Sequence, residues 1–236
     1  MTEPMRLSKR LIQITGCSRR EAELYIEGGW VTVDGVVIEE PQYQVEAQAV
    51  CLSPDANTTA AGPITLVMNV PADLGKDATL ALLTAANRWP QDTSGIRQLK
   101  RHLVQIKPCI PLQAGIEGMQ VISQDWRIQN KAAEDQAKIE QEFVVDVEGS
   151  LDAAGLQLLN FGLTYEGKKL PPCKVSWQTE TRLRFAVKNP QPGQIHYACE
   201  RAGLRFTSVK RIRLGATPLS KMATGQWRYL TGPIIF

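Results

Sequence analysis

No stretch of this 236-residue chain is apolar for long enough to cross a bilayer. The longest apolar runs are short, such as Ile64-Thr-Leu-Val-Met68, whereas a spanning helix needs about 20 apolar residues in a row. The N-terminal Met-Thr-Glu-Pro-Met-Arg lacks the apolar core of a signal peptide, so the cytoplasm is the expected location. Histidine is scarce, with His102 and His196 the two examples. Cys17, Cys51, Cys109, Cys173 and Cys199 are scattered, and no pair has Cys-x-x-Cys spacing. A structural zinc site needs four closely placed ligands, so none is expected. An odd number of cysteines in a cytosolic setting also argues against a disulfide framework, and buried free thiols are the simpler expectation. Neither metal nor cofactor is called for. Acidic residues are missing from one long segment: Arg201 to Phe236 holds Arg201, Arg205, Lys210, Arg211, Arg213, Lys221 and Arg228 and no Asp or Glu. The net charge of the whole chain is only +3, so this local excess says more than the total about attraction to a polyanion. A solvated basic face with no partner explains the same charges.

What is present is an ordinary globular composition, 43% hydrophobic and 22% charged, enough for two small domains. Leu7, Leu11, Ile12 and Ile14 give a helical stripe that Gly16 ends. Ser18 followed by Glu21 three residues later is a capping-box pattern, which starts a second helix with Ala22, Tyr25 and Ile26 on its apolar face. Gly28-Gly29 stops it. Trp30–Val33 and Val36–Ile38 flank Asp34-Gly35, a strong hairpin signal. Tyr43 to Leu52 offers another strand pair. Ser53 to Pro63 reads as a linker by composition. The resulting division is 1–57 for a first module, 58–65 for a linker and 66–236 for a larger domain. In that domain Ile64–Asn69, Met119–Ser123, Glu142–Val147, Leu183–Val187 and Phe206–Leu214 read as strands. Ala78–Asn87, Ala153–Phe161 (followed by Gly162) and Ile195–Ala202 (followed by Gly203) read as helices, and Arg88–Gln98 as an irregular loop. Strands and helices mix without a strict βαβ rhythm, so the fold class is α+β with a mixed or antiparallel sheet.

Three short motifs carry a resemblance in the first module: Arg6-Leu-Ser-Lys-Arg10, Cys17-Ser-Arg-Arg-Glu-Ala22 and Ile26-Glu-Gly-Gly-Trp-Val-Thr-Val-Asp-Gly35. Two helices and a hairpin in this pattern resemble the small RNA-binding module named for ribosomal protein S-four, over about the first 50 residues. The resemblance implies a surface that recognises RNA shape and backbone, with Arg6, Lys9, Arg10, Ser18, Arg19 and Arg20 as its expected contacts. Arg19 and Arg20 fall in the first turn of the second helix, where free backbone amides favour phosphate, and guanidinium groups fork onto phosphate oxygens. Lys210, Arg211 and Arg213 are the expected contacts from the basic C-terminal segment. Glu21, Glu23 and Glu27 offset the module's bases in a plainer reading of the same helices.

The rest of the chain also carries motifs. They are Ser208-Val-Lys-Arg-Ile-Arg-Leu-Gly215, Pro218-Leu-Ser220, Gly225-Gln-Trp-Arg-Tyr-Leu-Thr231, Cys173-Lys-Val175, Glu142-Phe-Val-Val-Asp-Val147 and Asn69-Val-Pro-Ala72. Together with the first module they resemble the bacterial ribosomal-RNA pseudouridine synthases of the RsuA/RluF type. These enzymes detach the base of a flipped uridine, rotate it and rejoin it through carbon. The resemblance implies an Asp in the pattern Arg-Leu-Asp-x-x-Thr-Ser-Gly, followed by a buried strand, and an aromatic ring against the base. Arg88-Trp-Pro-Gln-Asp-Thr-Ser-Gly95 has the Thr-Ser-Gly, but Pro90 occupies the Asp position, a basic segment follows, and it comes too soon after Asn69. Pro111-Leu-Gln-Ala-Gly-Ile-Glu-Gly118 fits better, because a plausible strand follows it. In that alignment Gln113 stands where the family has Asp, Pro111 where it has Arg, and Phe143 where it usually has Tyr. His196-Tyr197 stands where an Arg pair is usual. An amide is neither nucleophile nor base in this role.

Asp125 and Asp92 are the nearest rescue acids in sequence, although a turn and a loop explain them equally well. Glu117 points away if the strand register holds, and His196 falls on the polar side of its helix. The favoured reading is a non-catalytic RNA-binding protein on a synthase scaffold, acting on structured RNA, ribosomal RNA first, in ribosome biogenesis, and as a monomer. The alternative is an active synthase acting on ribosomal or transfer RNA. A third reading makes the main partner a protein.

Overall fold

A computed structural model describes residues 3–60, 62–161 and 163–232. Ala61 of the linker, the expected helix stop Gly162 and the last residues 233–236 lie outside them. The chain divides into two compact units, one made of Met1–Pro63 with Gly95–Val104, the other of Ile64–Ser94 with Gln105–Phe236.

In the first unit, helices Leu7–Thr15 and Arg19–Glu27 form as expected, but Ile14 of the expected stripe is 51% exposed. Leu7, Leu11, Ala22 and Ile26 are buried against Val31, Val33, Ile38 and Val45. The capping box forms as read: the Ser18 hydroxyl accepts from the Glu21 amide at 3.3 Å, and the Ser18 amide donates to the Glu21 carboxylate at 2.8 Å. The hairpin also forms, with Val33 opposite Val36. Asp34 and Gly35 both have positive φ, 49° and 80°, the geometry of a tight type I′ turn. The expected pair within Tyr43–Leu52 does not form. Gln44–Val45 pairs instead with Met5–Arg6, and Val50–Leu52 with Val31–Val33.

Gly95–Val104 joins this unit although it lies inside the sequence of the other. Arg97 sets its guanidinium 4.3 Å from the centre of the Trp30 ring and donates to the Gly29 carbonyl at 2.7 Å. The Lys100 amide donates to the Glu39 carboxylate. Gly29 has φ +70°, and a Cβ there would come within 2.7 Å of the Leu99 side chain, so a larger residue would be strained and would push that side chain aside.

The second unit is built on one mixed sheet. Its strand order is Lys174–Thr179, Arg182–Lys188, Glu140–Glu148, Arg205–Leu214, Glu117–Ser123, Thr65–Val70 and Trp227–Tyr229. Arg205–Leu214 runs parallel to Glu117–Ser123 and antiparallel to Glu140–Glu148. Gly118 marks the close approach of the parallel pair: it has φ +105°, and a Cβ would stand 2.4 Å from the Arg211 carbonyl oxygen. One core gathers Phe143, Val145, Leu159, Leu183, Phe185, Ile195 and Cys199, and a second gathers Val67, Met119, Val121, Ile139 and Leu214. The expected helix over Ala78–Asn87 is broken. Lys76–Ala81 is helical, and Ala85–Asn87 is a separate 3-10 turn. Thr84 interrupts them because its carbonyl accepts from the Trp227 indole at 2.8 Å and its hydroxyl caps the next turn. Helix Trp126–Glu134 was not foreseen from the sequence.

Burial pushes the buried His102 imidazole in the first unit down to about 4, with Arg101 adding to the effect. Because the folded form prefers the neutral ring, this contribution is complete above the unfolded value near 6.5 and is lost as pH falls toward 4. It amounts to on the order of 3 kcal/mol at most. His102→Gln stays neutral throughout. The difference in thermal midpoint between wild type and this variant is therefore expected to shrink by several degrees from pH 6.5 to pH 4. A constant difference contradicts the assignment. Taking the difference also removes Glu39, whose carboxyl is raised by burial and works in the opposite sense.

Candidate functional site

The register of the central strands decides what meets in the second unit. Arg211 is directly opposite Phe143 on one side and Gly118 on the other. Paired residues of a ladder share a face, so the Arg211 guanidinium and the Phe143 ring lie together, with 2% and 1% of their surface exposed. Arg211 donates through Nε to the Met119 carbonyl (2.8 Å), through Nη1 to Gln141 Oε1 (3.0 Å) and through Nη2 to the Ile110 carbonyl (2.8 Å). All three acceptors are neutral, and among the described residues no carboxylate pairs with it. Burial pushes its pKa down to about 9, which leaves it charged at neutral pH. The expectation that Arg211 contacts RNA at the surface therefore fails. It shares a strand face with buried Val209, and its charge points inward.

A hollow of about 100 Å³ opens beside these side chains, lined by Ile110, Pro111, Leu112, Gln113, Ile116, Gln136, Gln141, Phe143, Pro190 and Arg211. The structure thus brings Gln113 and Phe143 together, as the alignment on Pro111–Gly118 expects. Gln113 Nε2 donates to the Pro190 carbonyl at 2.7 Å. Among the described lining residues there is no Asp or Glu. Gln113 also lines two adjoining cavities. One, of about 370 Å³, runs along Val70–Lys76, Ile106, Pro108 and Gln120. The other, of about 130 Å³, is shared with His196, Phe206 and Val209.

The rescue acids lie elsewhere. Asp92 has a side chain only 3% exposed and is tied to Arg88 Nε at 2.9 Å. It also accepts from the amides of Ser94 (2.9 Å) and Tyr229 (3.2 Å). Burial opposes its ionisation, but these hydrogen bonds outweigh burial and hold its carboxyl below the usual range. The Arg88 guanidinium lies 4.9 Å from the centre of the Tyr229 ring, so Asp92 closes a structural knot. Asp125 caps helix Trp126–Glu134, accepting from the Arg127 amide at 2.9 Å and its guanidinium at 2.8 Å. That guanidinium holds its pKa low. One acid was missed: Asp73 lines the 370 Å³ cavity together with Gln113. Its Oδ1 accepts from the Gly115 amide at 2.7 Å, two residues beyond Gln113. Its φ of +56° is a left-handed conformation that Asp tolerates better than most residues. Its place directly after Asn69-Val-Pro-Ala72 was the available signal. His196 is half-exposed, 3.4 Å from Glu200, with its ring centre 4.7 Å from that of Phe206 and tilted by 48°.

In the first unit Arg6, Lys9 and Arg19 line one open cleft of about 540 Å³ with Ser8, Ile12, Glu23, Glu27, Pro41 and Gln42. Arg19 is bonded to Glu23 at 2.9 Å but stays largely exposed. Arg20 and Ser18 are exposed outside this cleft, and Arg10 is half-buried with Nε unpaired among the described residues. The start of the second helix is less open to phosphate than expected, because the Glu21 carboxylate and the Ser18 hydroxyl already occupy two of its amides. Hydrogen bonding from the Ser18 amide, then its hydroxyl, keeps the Glu21 carboxyl ionised to lower pH. The other basic candidates are also committed: Arg213 pairs with Glu140 (2.5 Å) and Glu142 (2.6 Å), and Lys210 with Glu117 (3.1 Å).

Residues 5–51 match the S4 domain model. Over 232 residues the chain is 23% identical to the dual-specificity RNA pseudouridine synthase RluF of Escherichia coli K12, spanning 96% of this chain and 76% of that protein. It is 22% identical over 237 residues to ribosomal small subunit pseudouridine synthase A of Vibrio cholerae, spanning 96% of each. A crystal structure of a pseudouridylate synthase superposes with a TM-score of 0.58 at 14% identity, over 96% of both chains, and shows that the fold is shared.

Asp92→Asn removes the charge from a buried pair and turns its NH2 toward a donor, either the Ser94 amide or the Tyr229 amide with Arg88 Nε. The expected loss of stability is about 2–3 kcal/mol, read as a lower urea midpoint with an unchanged slope. An unchanged midpoint would show that the knot is not structural.

Proposed function

We propose that this chain, a homologue of the RluF- and RsuA-type pseudouridine synthases with an N-terminal S4 domain, binds structured RNA and has lost the isomerisation. Ribosomal RNA is the proposed partner, and assembly or folding of that RNA the proposed setting. The observation that carries this reading is the hollow beside Phe143: Gln113, aligned with the family's Asp, lines it, and no described lining residue is a carboxylate. The surroundings suit the amide as it stands. Gln113 gives its N–H to the Pro190 carbonyl at 2.7 Å, and an ionised carboxylate in the same place would set two acceptors against each other.

RNA binding is assigned to the cleft that gathers Arg6, Lys9 and Arg19, with Arg10, Ser18 and Arg20 at its margin. Lys9→Ala combined with Arg19→Ala is expected to weaken affinity for a structured ribosomal RNA fragment at least tenfold. Fewer phosphate contacts should also flatten the dependence of affinity on salt. Equal affinity and an equal salt slope would remove this surface from consideration.

One observation favours a second reading, in which the chain isomerises uridine. The Asp73 carboxylate lines the cavity on the other flank of Gln113, and among the described residues its Oδ2 has no hydrogen bond. Tritium release from RNA carrying 5-tritiated uridine separates the two readings. No release above background is expected from the wild type, nor from Gln113→Asp, because Pro111 still stands where the family carries arginine. Release by the wild type that disappears in Asp73→Asn would establish the second reading.

A further inference from the structure

The guanidinium of Arg211 carries five N–H bonds, and protein acceptors take three of them: two backbone carbonyls and the amide oxygen of Gln141. Every acceptor is neutral, and the group lines a hollow whose other described lining side chains are amide, aromatic or aliphatic. A full positive charge has therefore been taken out of water without a counter-charge. That arrangement is costly, and an anion would relieve it. The geometry suits one: a guanidinium with N–H bonds to spare engages carboxylate or phosphate oxygens through two parallel bonds. The amides of Gln113, Gln136 and Gln141 line the same space and supply further donors and acceptors.

We propose that the hollow between Phe143 and Gln113 is a binding site for a small free oxyanion, a phosphate or a simple carboxylate, held on Arg211. Its volume of about 100 Å³ suits such an ion. A whole nucleotide would need roughly 300 Å³ or more, so the hollow by itself holds the smaller ion and not a nucleotide unit. The low folded pKa of Arg211, about 9, is that of a buried cation with no anionic partner, and an oxyanion would raise it. The inference rests on the missing acid of the hollow, as the loss of isomerisation does, but not on the RNA partner.

The test follows the Arg211 Nε–H resonance of the whole chain by NMR during titration with inorganic phosphate, and separately with acetate, against chloride at constant ionic strength. The signal is identified by its loss in Arg211→Lys. If that variant does not fold, the Nε–H correlation to the Met119 carbonyl identifies it instead. A saturable shift of this resonance is expected in the wild type. In Gln113→Asp, which places a carboxylate in the hollow, the apparent affinity for phosphate should fall at least tenfold. Movement of exposed arginine signals with Arg211 unchanged overturns the proposal. So does a shift of equal size and midpoint in Gln113→Asp, or a shift caused only by a uridine oligonucleotide. Affinity for structured RNA, measured in chloride alone, is independent of all these results, so failure here leaves the RNA reading standing.

Discussion

One buried arginine holds the centre of the second unit together. Arg211 reaches from its own strand to the Met119 carbonyl of one neighbour, to the Gln141 side chain of the other, and to Ile110 just ahead of the turn that carries Gln113. A single cation thus ties three strands to one another and to the segment ahead of the Gln113 turn. Gly118 allows it, because any side chain there would collide with the Arg211 backbone. The hollow follows from this arrangement: Phe143 forms part of its wall, and Gln113 borders it from the turn, anchored on Pro190.

The chemistry follows from the charges. A uridine isomerase needs an acid near the sugar, and the only charged group among the described residues of the hollow is a cation. The amide of Gln113 satisfies a backbone carbonyl that an ionised acid would repel. Of the acids considered, Asp73, across the turn, is the one with an oxygen left over, because Asp92 and Asp125 are bound into a knot and a helix cap and Glu117 pairs with Lys210. Of the three basic candidates in the C-terminal segment, Lys210 and Arg213 face carboxylates and Arg211 is buried.

Much of this was legible in the residues. The capping box at Ser18, the Asp34-Gly35 turn and most strands of the mixed sheet depend on local chemistry or on apolar runs, both of which a sequence displays. The juxtaposition of Gln113 with Phe143 was reached through alignment with a family motif. Counting basic residues failed at Arg211, where two-residue alternation from buried Val209 would have placed it inside. The bulge between Arg211 and Arg213 then lets the next arginine reach the carboxylates. Asp73 was passed over because its role depends on a hydrogen bond to Gly115, 42 residues away. The break at Thr84 depends on Trp227, 143 residues away. Neither contact has a local signature.

The proposed loss of isomerisation is tested most directly by a census of pseudouridine by mass spectrometry. Ribosomal and transfer RNA from cells lacking this protein would be compared with RNA from cells that have it. The account predicts an identical set of pseudouridines in both. Loss of even one position, restored by the wild-type chain and not by Asp73→Asn, would contradict it.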